Sequence, residues 1–269
     1  MNEREYRRKY PDDVYKTDIS KRRIPLLPSL RFYPDLIKIV YIGNRQAKAG
    51  IYDDYNWANS STDVIEALEN VGVVFEVDGL SNIAKSPKPV IFASNHMSTL
   101  ETFSLPSFIQ VKRPVVFIMK AELAEYPLFG PVTTARDPIS VGRKNPREDL
   151  MHAMREGAER INKGKSIIIF PQNTRRDKFD GKQFNSLGVK IARQNGIDVV
   201  PVALLTDAWG NNSKISAIKD FGKIDPTKKV HISFGEPISA TNANVAHEYC
   251  INYIKTKLTE WGRSDLIVL

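Results

Sequence analysis

One cysteine, Cys250, and four histidines are all that this 269-residue chain holds of the softer metal ligands. A lone thiol excludes an intramolecular disulfide, and without HExxH, HxH or CxxC spacing no metal site is expected. No apolar run approaches the roughly 18 residues needed to cross a bilayer. The nearest stretch, Ile24 to Ile42, is interrupted by Arg31, Asp35, Lys38 and prolines. The opening MNEREYRRKYPDD is polar from its first residue and lacks the apolar core of a secretory signal, which makes a cytoplasmic chain the expectation. Neither GxGxxG nor the Walker GxxxxGK[ST] pattern occurs, and no internal repeat or long flexible linker divides the sequence.

What is present reads as a globular α/β protein. Hydrophobic residues make up 42% and charged residues 26%, which argues against disorder and against a membrane-embedded body. The net charge is +8, and residues 1–50, with twelve basic against six acidic side chains, carry +6 of it. Such a surface suits phosphates, of lipid headgroups or nucleic acid, or is simply solvated. The basic clusters lack the organisation of a zinc finger, a basic zipper or an RNA-recognition motif, so no nucleic-acid partner is expected and an anionic membrane surface is.

Residues 1–59 form a basic and apolar helical segment. Pro25, Pro28 and Pro34 are expected to break it into short pieces, with Leu36, Ile37, Val40 and Tyr41 as a stripe that could cover the core or lie on a membrane. Residues 60–269 alternate strands and helices. A helix is expected over 60–70 with Ser60 as its cap, then strands at 73–77, 89–94, 115–119, 138–141, 166–170, 199–205 and 231–237. Asn145 and Pro146 open a helix ending at Gly164; others cover 187–195 and 244–260. Pro201 marks an edge, a bulge or the end of its strand.

The chemistry concentrates in SNHMSTLE, residues 94–101, where His96 leaves an apolar strand and Glu101 follows at the start of the next helix. A loop there can bring the carboxylate onto the imidazole. Glu101 would then orient the ring and stabilise the imidazolium formed when His96 takes a proton from an attacking alcohol. A surface histidine merely paired with Glu101 is the plainer alternative. Asp207 and Trp209 follow strand 199–205 and could border a cleft, although an aromatic there could equally close the core.

Four ordered motifs then resemble the glycerolipid acyltransferase family, including bacterial 1-acylglycerol-3-phosphate acyltransferases. NHMSTLE carries Asn95 and His96 with Glu101 where the family usually has Asp. MKAELAEYPLFG (119–130) and DPISVGR, ending in Arg143, match the second motif, with Asp137 and Gly142 departing from the common Gly and Asp. FPQNTRR (170–176) keeps Phe170, Pro171, Thr174 and Arg175 but has Gln172 and Asn173 for Glu and Gly. VVPVAL (199–204) matches the fourth. Together they cover roughly residues 73–240.

The resemblance implies a mixed sheet flanked by helices, with His96 as catalytic base and Glu101 as its orienting acid. Asn95, Lys120, Arg143, Gln172, Asn173, Thr174 and Arg175 would bind substrate, arginine's donor fork suiting phosphate. It further implies direct transfer of a fatty acyl group from acyl-CoA or acyl-carrier protein to a lysophospholipid or related alcohol, most simply 1-acylglycerol-3-phosphate. No bound cofactor is expected, and the protein would be peripheral on the inner face of the membrane. A non-catalytic lipid-binding or scaffold protein is the competing expectation.

Overall fold

Short apolar runs too brief for buried helices become the strands of a nine-stranded mixed sheet. The structure, a computed structural model, describes residues 4–142, 145–172, 174–211 and 221–268. Arg143 and Asn173 lie outside the described residues. The strands are β1 (Tyr15–Lys16), β2 (Val74–Asp78), β3 (Ile91–Ser94), β4 (Val115–Lys120), β5 (Ile139–Val141), β6 (Ser166–Ile169), β7 (Asp198–Leu205), β8 (Lys229–Phe234) and β9 (Ile238–Ser239). They lie in the order β1-β2-β8-β7-β3-β6-β4-β5, with β9 beside β7. From β7 to β5 every pairing is parallel, β2 runs parallel to β8, and the β1–β2, β7–β8 and β7–β9 pairs are antiparallel.

Helices cover both faces, which explains why the central strands read as continuous apolar runs. On one face lie α1 (Pro28–Lys48), α2 (Asp54–Asn70) and α3 (Leu100–Ile109), packing Phe32, Ile65, Leu68 and Phe108 with Phe92 and Ile168 of the sheet. On the other lie α5 (Pro146–Asn162), α6 (Leu187–Asn195) and α7 (Ala243–Glu260), packing Ile161, Ile191 and Ile254 with Ile91 and Ile167. The short α4 (Gly130–Thr134) packs on α1. Cys250 is fully buried in the second core, and burial pushes its thiol up to about 12.

Three expectations are corrected. Prolines do not fragment the first helix: Pro28 occupies its first turn, where no amide donor is required, and Pro34 lies nearly two turns further inside an unbroken α1. Helix α2 begins at Asp54 rather than near Ser60, because the Asp53 carboxylate accepts the Asn56 N–H at 2.9 Å while the Ser60 hydroxyl turns back onto the Trp57 carbonyl at 3.0 Å. The helix therefore runs across the expected division at 59/60. Pro201 sits inside a central strand, paired with β3 opposite Ala93. Its carbonyl accepts the Gly235 N–H at 2.8 Å, so its missing N–H points to the same side, into the gap between the β9 pairing at 198–199 and the β8 pairing at 202–205. No ladder bond is lost there.

The first residues form an arm laid on α2. Tyr10 is buried against Ser107, Arg7 pairs with Asp63 and Glu66, and Arg8 reaches Glu66 and Glu69. This consumes two of the basic side chains that sequence alone would leave facing phosphate. Among the described residues no helix is long and apolar enough to cross a membrane.

Candidate active site

Strand β3 ends at Ser94, and the chain turns sharply before α3 starts at Leu100. Asn95 braces this turn: its amide donates to the Leu204 carbonyl and accepts the Leu204 N–H, both at 2.8 Å, tying the end of β3 to β7. Fully engaged and 1% exposed, it lies behind the site rather than in a pocket wall.

Glu101 lies in the first turn of α3, where the helix dipole and open amides favour a carboxylate. Its Oε1 accepts His96 Nδ1–H at 2.9 Å, Met97 N–H at 2.6 Å and Ser98 N–H at 2.9 Å. Its Oε2 accepts the Ser98 and Thr206 hydroxyls at 3.0 and 2.7 Å. Complete burial alone would push this carboxyl up. The His96 contact, followed by Thr206 and Ser98, outweighs burial and holds it below the usual carboxylate range. An ionised Glu101 favours the proton on His96 Nδ1, and in the neutral ring that tautomer carries its lone pair on Nε2, where it can act as a base.

His96 is held from three further directions by the segment after β6. Phe170 stacks on its ring at 4.1 Å with the planes 16° apart. Gln172 Oε1 accepts its backbone N–H at 3.0 Å, and the Arg176 N–H donates to its carbonyl at 2.9 Å.

The imidazole opens on a cavity of about 680 Å³, within the range of sites that enclose a small molecule. From His96 its wall continues through Phe170, Phe117 and Trp57 to Arg136, whose guanidinium lies 4.8 Å from the Trp57 ring. Leu36 and Val40 of α1 and Phe103 of α3 supply more of the apolar lining. The described polar lining includes Thr99, whose hydroxyl accepts from Arg175, together with Thr174 and Lys120, the last 3.3 Å from Glu122.

The structure thus places His96, Lys120, Thr174, Arg175 and Trp209 in one cavity wall, with Glu101 and Gln172 supporting His96 from behind. Trp209 fills both roles that its sequence position allows: it is 1% exposed, stacks on Phe103 at 5.8 Å and edges the cavity. Asp207 is a correction. Its carboxylate pairs with Lys228 at 3.0 Å and Arg263 at 3.1 Å and takes no part in the cavity, because β7 has ended at Leu205 and the chain turns between the two residues, the Trp209 N–H donating to the Thr206 carbonyl at 3.2 Å. Asp137, where the family usually has glycine, has a φ of +53°. Aspartate tolerates that left-handed backbone better than most residues, and here its carboxylate is anchored by Arg160 at 2.8 Å and Lys165 at 3.0 Å. Among the described residues no cluster of His, Cys, Asp or Glu could hold a metal ion.

Thr99, Ser98 and Thr206 escape a reading by motif. The first two stand inside SNHMSTLE as ordinary polar residues, and Thr206 meets Glu101 only through the pairing of β7 with β3. The cavity is equally hidden, since α1, α2 and β4 contribute to it from three separate stretches.

In fold and over the middle of its sequence the chain is similar to acyltransferases. Residues 74–205 match the model of the Acyltransferase family, just under half of the chain, and the resemblance read from the four motifs holds over the segment that carries most of them. A 1-acyl-sn-glycerol-3-phosphate acyltransferase of Pseudomonas aeruginosa is 35% identical over 132 residues, 49% of each chain. A chloroplastic enzyme of the same name from Brassica napus is 30% identical over 48% of this chain and 37% of its own length. The aligned part therefore spans half or less of these two relatives. In fold the likeness reaches further: the structure of the 1-acyl-sn-glycerophosphate acyltransferase PlsC from Thermotoga maritima superposes with a TM-score of 0.68 over 87% of this chain and 95% of that one, at 19% identity.

Proposed function

We propose that the protein is an O-acyltransferase that moves a fatty acyl group from a thioester donor, acyl-CoA or acyl-carrier protein, to the free hydroxyl of 1-acylglycerol-3-phosphate. One observation carries this reading: a histidine whose Nδ1 is backed by a buried carboxylate opens on an apolar cavity of a volume suited to an acyl chain. His96 Nε2 takes the proton of the acceptor hydroxyl as its oxygen attacks the thioester carbonyl. Glu101 stabilises the resulting imidazolium. When the tetrahedral intermediate collapses the C–S bond breaks, and the imidazolium returns the proton to the departing thiolate. Arg175, beside His96 in the same wall, is the group to hold the acceptor phosphate, with Arg143 carried over from the family pattern.

The acceptor is a lipid, so the site must meet a membrane. Leu26, Leu27, Leu30, Ile37 and Tyr41 are all more than 45% exposed on α1 and the segment before it, next to the exposed Arg31 and Lys38. Leu36 and Val40 of α1 line the cavity, and Ile37 both lines it and is exposed. An interfacial helix of this kind brings lipid and cavity to adjoining faces of one element.

The test is acceptor-dependent release of thiol from acyl-CoA and acyl-carrier protein. Wild type should show it, and folded His96→Ala should lose about 10²- to 10⁴-fold. Thiol release that is unchanged in His96→Ala would overturn the mechanism, and binding of acyl chains without any transfer would leave a lipid-binding protein.

A further inference from the structure

The family's third motif usually carries Glu where this chain has Gln172, and the resemblance places that position in the acceptor pocket. In this structure Gln172 is 3% exposed, contributes nothing to the cavity wall and touches His96 instead. Its amide meets two fixed backbone groups at once. The His96 N–H needs an acceptor, which the carbonyl oxygen supplies at 3.0 Å, and the Lys178 carbonyl needs a donor, which Nε2 offers at 3.5 Å. The donor on one side fixes the amide's orientation, so it is not free to flip. An ionised carboxylate would satisfy the first group and set two oxygens against each other at the second. A protonated carboxyl would satisfy both.

We infer that Gln172 is a positioning residue: it fixes the backbone at His96, and its neutrality is required by the Lys178 carbonyl it faces. It completes a clamp in which Arg176 N–H holds the His96 carbonyl and Phe170 holds the ring. The charged and titratable groups nearest this amide are His96 with Glu101 behind it, and Arg175, Arg176, Asp177 and Lys178 of its own segment. In this chain the third motif therefore supports the base, leaving contact with the acceptor to Thr174 and Arg175. The kinetic part of this inference rests on the acyl-transfer reading, and its spectroscopic part does not.

Three forms are compared: wild type, Gln172→Ala and Gln172→Glu. A small displacement of a catalytic group costs up to about 100-fold, so Gln172→Ala should lower kcat by about 10- to 100-fold with the acceptor KM held within about twofold. Gln172→Glu should recover part of that loss at acidic pH, where its carboxyl is protonated and mimics the amide. Its rate relative to wild type should then fall as pH rises and the carboxyl ionises, a step absent from the wild-type profile. A rise in acceptor KM with kcat unchanged in Gln172→Ala would return the residue to the acceptor pocket, and a flat Gln172→Glu to wild-type ratio across pH would remove the requirement for neutrality. Hydrogen exchange of the His96 amide, followed by NMR, reads the clamp without turnover: protection should drop in Gln172→Ala. Equal protection in the two proteins would overturn the inference even if wild type transfers acyl groups, and lost protection in a protein that transfers none would uphold the clamp while the acyl-transfer reading fails.

Discussion

Glu101 shows how one added methylene alters a motif without altering its logic. The family pattern has the shorter aspartate, yet Glu101 still gathers a ring nitrogen, two amides and two hydroxyls on its two oxygens, because it starts from the first turn of α3 and folds back over the turn. These bonds favour the charged form in the folded state more than in the unfolded one. The stabilisation is therefore fully present above the ordinary carboxylate pKa and is lost as pH falls through the lowered value. The gap in Tm between wild type and Glu101→Gln should accordingly be widest near neutral pH and close in acid. A gap that does not change with pH would mean that Glu101 is not held ionised. The pairing itself was legible, since His96 and Glu101 stand five residues apart after an apolar strand. Their partner Thr206 was not, because it arrives from a strand more than a hundred residues away.

Helix α1 illustrates why elements are harder to read than residues. Its three prolines suggest fragments, but Pro25 precedes the helix, Pro28 opens it where no donor is required, and Pro34, its seventh residue, forgoes one bond to the Leu30 carbonyl without ending it. Its apolar residues also divide between two faces: Phe32 and Leu36 are buried, while Leu27 and Leu30 are 57% and 69% exposed. Replacing Leu27 and Leu30 by Ser should lower co-sedimentation with anionic liposomes and leave Tm nearly unchanged, as should charge reversal at Arg31 and Lys38, whose effect should fade with salt. Undiminished binding in both variants would remove α1 as the attachment surface. Arg22 is unsuited to this test, because its guanidinium holds the Gly72 and Pro226 carbonyls at 2.9 and 2.5 Å.

For the molecule as a whole, alternating apolar runs announced an α/β sheet, and the central strands fell where the sequence put them. Strand order was not legible, since runs buried on both faces carry no mark of their neighbours. That order has a consequence in time. Strand β2 is separated from β3 by β8 and β7, so it waits for residues 229–234 before it gains a parallel partner. A ribosome makes about 5–20 residues each second, so roughly 8 to 30 seconds pass between the emergence of β2 and that of the strand that inserts beside it. During that interval the edge of β2 that β8 will cover has no parallel partner. Until its last strands are translated, the emerging chain therefore offers that open edge to whatever lies beside it, a chaperone included.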